Sequence, residues 1–247
     1  MRLVPSNAAR RRVLAARLGV GLTVFLIASA WASDTPQANA SGVFLNADGD
    51  VLTAAHAVSS CKSLYLIKGT QVAEATVRAA SPELDLAVLH STIKPYLSAT
   101  LVLADEIPTV SVRVFVEAYE TLQQRPDRIR LLSNAMTVPG DAGLQLISDA
   151  KPGASGAPVL GPDGLLLGVV VERVAVAPHA SGTMLSRAAS SGVKLGATQV
   201  RAVPAASIRR FLIAHDVRFA QSVSPQLSPL QSPAARASTL SVGVLCG

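Results

Sequence analysis

Lys151-Pro152-Gly153-Ala154-Ser155-Gly156-Ala157-Pro158-Val159-Leu160 sets one serine among small residues, between two prolines and just ahead of a long apolar run. A nucleophilic hydroxyl needs a sharp turn that exposes its oxygen. It also needs backbone N–H groups nearby to hold the negative charge that develops on an attacked carbonyl. The glycines on either side of Ser155 permit both. Gly, Ser and Pro also build ordinary turns, so this stretch acquires meaning only from residues elsewhere in the chain.

Upstream of it the apolar pattern is that of short strands. Residues 41–45 and 51–53 flank Asn46-Ala47-Asp48-Gly49-Asp50, whose Asp-Gly pair predicts a β-hairpin turn. The second strand runs into Ala54-Ala55-His56-Ala57-Val58. A histidine at such a strand end is either a buried imidazole bonded to backbone or a proton carrier. Residues 64–67 and 71–78, joined through Lys68-Gly69-Thr70, predict a second hairpin. In Leu84-Asp85-Leu86-Ala87-Val88-Leu89 an aspartate is embedded in an apolar strand, where a carboxylate is costly unless it accepts hydrogen bonds. It lies at a wet strand edge, or it has a partner such as a histidine.

Further strands are predicted over 101–103, 111–117, 128–133, 144–147, 165–176 and 197–203. No helical period interrupts them until 205–215, which Pro204 opens and which predicts a C-terminal helix. Residues 221–239 have the Ser, Pro, Gln and Ala composition of a linker. Many short strands with one late helix make the fold class all-β, a barrel or a sandwich.

The 247 residues are 49% apolar, enough for a well-filled core, and carry a formal charge of +6. That charge does not indicate a nucleic-acid partner, because Arg2, Arg10, Arg11, Arg12 and Arg17 all precede the first acidic residue, Asp34. Without residues 1–32 the balance is 17 basic against 16 acidic side chains. Those residues have the form of a secretory signal: an arginine-rich start, an apolar stretch over 18–30, and the small residues of Ala30-Trp31-Ala32 before the cleavage point. The apolar stretch of 13 residues is short of the ~20 a membrane span needs, so membrane attachment enters only if the leader stays uncleaved. Export to the periplasm or the extracellular space is expected, and two cysteines, Cys61 and Cys246, suit an oxidising compartment. His56, His90, His179 and His215 are scattered, so neither a metal nor a cofactor is expected. The sequence carries no signal of oligomeric state.

His56, Asp85 and Ser155 stand in the order of the chymotrypsin type, not that of subtilisin or the α/β-hydrolases. With Ser41-Gly42-Val43-Phe44-Leu45, Leu52-Thr53-Ala54-Ala55-His56-Ala57-Val58, Asp85-Leu86-Ala87-Val88-Leu89, Pro152-Gly153-Ala154-Ser155-Gly156-Ala157-Pro158-Val159 and Asp163-Gly164-Leu165-Leu166-Leu167-Gly168-Val169, the chain resembles the trypsin-like serine proteases. Within them it resembles the bacterial HtrA-like branch without a PDZ domain. The resemblance covers about residues 41–214.

It implies a double six-stranded β-barrel with a C-terminal helix, the barrels spanning about 41–115 and 116–203 of a peptidase domain at 33–220. It also implies a serine endopeptidase acting on a polypeptide substrate, with Ser155 as nucleophile, His56 as base and Asp85 as its orienting carboxylate. By position, the N–H groups of Gly153 and Ser155 would form the oxyanion hole, and Gly168-Val169-Val170-Val171 would pair with substrate backbone.

Departures from the family pattern carry their own expectations. Ala154 stands where Asp or Asn is usual, which removes the carboxylate that anchors a freed amino terminus in zymogen activation. Ala157 replaces a glycine. Asp149, six residues before Ser155, is either the acid that selects Arg or Lys at the cleaved bond or the displaced aspartate of a shortened loop. Few residues precede the Ser41 strand. Residues 238–246 alternate like a strand, so they either supply the absent strand of the first barrel with Cys246 bridged to Cys61, or form a tail with a free thiol. The rival to an enzyme is a catalytically silent double barrel that binds peptides or proteins.

Overall fold

The computed structural model describes residues 37–104, 109–140, 143–175 and 198–247. The leader over 1–32 and His179 lie outside the described residues.

The hairpins expected at the start of the chain form β1 (Ala40–Phe44), β2 (Asp50–Ala54), β3 (Leu64–Lys68), β4 (Gln71–Ser81) and β5 (Leu86–Ser91). Then follow β6 (Thr100–Val102), β7 (Arg113–Val114), α1 (Tyr119–Gln124), β8 (Ala135–Val138), β9 (Leu144–Ser148), β10 (Pro158–Leu160) and β11 (Leu166–Ala175). The chain closes with β12 (Thr198–Pro204), α2 (Ala205–Ala214), β13 (Ala220–Ser222), α3 (Pro233–Leu240) and β14 (Ser241–Cys246).

The first barrel is closed in the order β1-β14-β3-β4-β5-β2. The second sheet runs β7-β8-β9-β12-β11-β10, and its ends meet where Phe115 and Leu160 exchange two backbone hydrogen bonds of 2.9 Å. That single bridge shuts the second barrel. Two short parallel strands extend this sheet, β6 beside β11 and β13 beside β6.

Strand alternation sorts the side chains. In β5, Ala87 and Leu89 fill the first barrel while Leu86 and Val88 face the core between the barrels. That middle core also takes Leu52, Phe115, Leu160 and Val169, and it is capped by Ile208, Phe211 and Leu212 of α2. β1 and β2 are buried on both faces, and the polar residues they carry, Ser41, Asp50 and Thr53, are buried with them. Ala154 and Ala157 lie in the second barrel's own core, almost fully buried.

Four sequence expectations are corrected here. Residues 128–130 belong to a turn and 131–133 to an irregular stretch, and the strand comes just after them as β8. The strand expected over 111–117 shrinks to β7 and the Phe115 bridge, because the chain turns at Ala118 into α1. Asp85 precedes β5, in a turn.

Within the expected linker over 221–239 a helix begins at Pro233 and runs to Leu240, into the stretch read as strand-like from 238, and the compact unit runs on to Gly247. Ser232 caps α3 by accepting the Ala235 N–H at 3.1 Å, with Pro233 in the first turn. Ala234, Ala237 and Leu240 bury one face of α3 in the middle core. Arg236 is also buried, and its guanidinium donates to Gly164 O and Gln226 O.

The chain then enters the first barrel as β14, between β1 and β3, and the disulfide joins Cys246 to Cys61. A cross-link between residues 185 apart in sequence removes a large loop from the unfolded ensemble. Lys68 fastens the α3–β14 junction, donating to Ser238 O, Thr239 O and Ser241 O at 2.8, 2.8 and 2.6 Å. Burial pushes its pKa down to about 8. Lys68→Met is expected to cost about 3 kcal/mol of unfolding free energy, since it strands three carbonyls, and the urea midpoint reads that loss.

Asp50 organises the far end of this barrel. It is buried, and its carboxylate accepts from Asn46, from His90 Nδ1 at 2.9 Å and from Arg78 at 2.6 Å. Burial acts to raise its pKa, but the bonds from Asn46 and His90 and the charge of Arg78 outweigh it and hold the carboxyl below its ordinary value. A carboxyl depressed in the folded state contributes its full stability above its unfolded pKa, near 3.8, and loses it as pH falls through the folded value. Asp50→Asn is therefore expected to lower stability at pH 7 by about 2 kcal/mol and to flatten the acid decline below pH ~4, measured by urea unfolding at both pH values.

Candidate active site

The site lies where the two barrels face each other. β2 ends in the 3-10 turn Ala55–Ala57, which carries His56. Asp85 closes a turn in which its N–H donates to Pro82 O, and its φ of 54° lies in the left-handed region. Aspartate is among the few non-glycine residues that tolerate this region. The turn aims both carboxylate oxygens at one residue: Oδ1 accepts the His56 backbone N–H at 2.8 Å, and Oδ2 meets His56 Nδ1 at 2.7 Å. With Nδ1 donating, Nε2 keeps its lone pair toward Ser155 Oγ, 3.1 Å away. The imidazole is half exposed.

Ser155 stands on a turn held by Gly153 at φ +87° and Gly156 at φ +83°. The Ala157 N–H donates to Ala154 O at 2.8 Å, and the Gly156 N–H donates to Val170 O at 2.7 Å. The N–H groups of Gly153 and Ser155 have no acceptor among the described residues. Both stay available to an incoming oxygen.

Sequence reasoning missed the residue that clamps this turn. Ser41, fully buried in β1, donates its N–H to Ser155 O at 2.8 Å and its hydroxyl to Gly153 O at 2.7 Å. Its hydroxyl accepts the Tyr119 N–H at 2.8 Å, and its carbonyl accepts the Thr53 hydroxyl at 2.7 Å. The only sequence signal was a small polar residue opening an otherwise apolar strand.

A cleft of about 540 Å³ opens over the three residues, with Glu172, Arg173 and Arg201 on its wall. Glu172 and Arg201 pair at 2.8 Å. Asp149 is exposed and is not among the residues that line this cleft. Gly168, Val169 and Val170 lie between β10 and β12, and the Val170 N–H and C=O are bonded to Ala157 O and Gly156 N. That run has no free edge. Among the described residues no cluster of His, Cys, Asp and Glu could hold a metal ion.

A serine, an imidazole and a carboxylate bonded in sequence lie between two antiparallel barrels. The sequence profile of the trypsin-like peptidase domain family matches residues 40–169, more than half of the chain, and the protein belongs to that family. Among solved structures it is similar to an HtrA-type protease, AlgW, with a decapeptide, at 20% identity and TM-score 0.47. The match covers 72% of this chain and 52% of that one, so the chain spans about half the length of that protease. It is also similar to Rv3671c protease in an inactive form, at 20% identity and TM-score 0.46, over 71% of this chain and 82% of that one. No curated protein sequence matches it.

Proposed function

We propose that the protein is an exported endopeptidase that cleaves peptide bonds through an acyl-enzyme, with Ser155, His56 and Asp85 as its catalytic residues. The observation that carries this reading is the unbroken line from Asp85 Oδ2 to His56 to Ser155 Oγ beside two unbonded N–H groups. Ser155 Oγ attacks the scissile carbonyl carbon as its proton passes to His56 Nε2. The resulting oxyanion takes hydrogen bonds from the Gly153 and Ser155 N–H groups. Collapse breaks the C–N bond, and His56 returns the proton to the departing amine. Water then attacks the ester by the same route and frees the acid.

Asp85 holds the ring by one oxygen and the His56 backbone by the other, so its role is to fix the tautomer and the direction of Nε2. Substrate backbone is assigned to the stretch beyond Val170, where β11 keeps β12 on one edge and has no strand on the other among the described residues. Export rests on the leader sequence, and the Cys61–Cys246 bridge suits an oxidising compartment.

A fluorophosphonate probe tests the reading. Folded wild-type protein is expected to take one label, on Ser155, and Ser155→Ala none; casein and short esters then separate a peptidase from a general acyl hydrolase. Folded wild-type protein that takes no label would instead be the silent scaffold.

A further inference from the structure

With Ala154 in place of the family's usual Asp or Asn, the loop before Ser155 lacks that anchor. A different carboxylate reaches it. Glu117, 2% exposed, lies just after the Phe115 bridge, and its Oε1 accepts the Lys151 N–H at 3.2 Å and the Ala118 N–H at 3.0 Å. Two residues on, the Tyr119 N–H donates to Ser41 Oγ, which in turn donates to Gly153 O. The short segment 117–119 thus grips the loop at Lys151 and, through Ser41, at Gly153.

As structural glue alone, Glu117 is a poor choice. Its Oε2 is buried and accepts no hydrogen bond, and the nearest cation, Arg125 Nη1, is 3.6 Å away while also paired with Asp127. A glutamine of the same shape would hold both N–H groups without burying a charge. What the carboxylate adds is a charge-assisted bond to Lys151, roughly twice as strong as a neutral one.

We propose that Glu117 is a positioning residue, whose buried carboxylate holds the Lys151–Gly153 loop so that the Gly153 and Ser155 N–H groups face the reacting carbonyl. This rests on the catalytic reading above. Burial pushes the Glu117 carboxyl above its ordinary value; the N–H groups of Lys151 and Ala118 and the charge of Arg125 oppose that push, and Asp149 adds to it. From β1 only the Ser41 hydroxyl faces this segment. A carboxyl raised in the folded state weakens folding when ionised, so stability rises as pH falls through its folded value.

Glu117→Gln is therefore expected to unfold at the same temperature as wild type or higher at pH 7.5. Its kcat for a peptide substrate is expected to fall about tenfold with KM unchanged, and the acid limb of its kcat profile to lose one ionisation. Amide hydrogen exchange at Lys151, read by NMR, is expected to quicken about tenfold. Wild-type kcat, acid limb and Lys151 exchange in this variant would overturn the proposal. So would a fall in kcat that merely follows a lowered unfolding temperature. If wild-type protein takes no fluorophosphonate label, the catalytic reading fails, and the exchange at Lys151 still decides whether Glu117 holds the loop.

Discussion

Replacing Ser155 by alanine is expected to lower kcat for peptide hydrolysis by about 10⁵–10⁶-fold, equivalent to about 7–8 kcal/mol of transition-state stabilisation. Nothing else in the cleft replaces the lost oxygen, since Glu172 and Arg201 are occupied with each other. His56→Ala is expected to cost about as much, because an alcohol whose proton has no acceptor is a weak nucleophile. The double variant should then be little slower than either single one, since the residues act as one unit. Steady-state rates of the three variants check this, and a double variant slower by the product of the single losses would mean that the two residues act separately. Residual turnover above water would come from the Gly153 and Ser155 N–H groups.

The second large effect is structural. Gly156→Ala is expected to destroy the site and cost more than about 4 kcal/mol of stability. A methyl group at 156 would fall inside the van der Waals shells of Ser41 O and the Thr53 hydroxyl, two atoms already bonded to each other, at a φ of +83° that disfavours any side chain. Neither atom can retreat without parting β1 from β2. Gly153 is the control. Its φ of +87° is just as unusual, yet an added methyl would come no nearer than 3.8 Å to Ala118 Cβ or Asn39 O. Gly153→Ala should cost only the conformational strain, about 1–2 kcal/mol. Urea unfolding of both variants, with fluorophosphonate labelling, separates them: Gly156→Ala loses fold and label together, whereas Gly153→Ala stays folded. Equal destabilisation would mean that the backbone angle, rather than the contact with Ser41, makes Gly156 indispensable.

The hairpin at Asp48-Gly49 and the strands around Val88 and Val169 were legible because alternation and turn chemistry are local properties of a sequence. The order of His56, Asp85 and Ser155 was legible for a different reason: acyl transfer needs those three groups wherever the fold brings them together. By contrast, α3 was hidden. A helix of Pro, Ala, Arg, Ser, Thr and one Leu shows no apolar stripe until Gly164 and the middle core cover it.

By itself the sequence determined the all-β class, the two hairpins of the first barrel, the helix after Pro204 and which residues have the chemistry for the site. Only the tertiary structure decided where those residues meet. Ser41 and Gly153 are 112 positions apart, Glu117 and Lys151 are 34 apart, and no periodicity relates either pair. The same is true of the edge on which β11 is open and of the solvent around Asp149. A strand's neighbours and a carboxylate's burial are set by surfaces from distant parts of the chain, and those exist only once both barrels have closed.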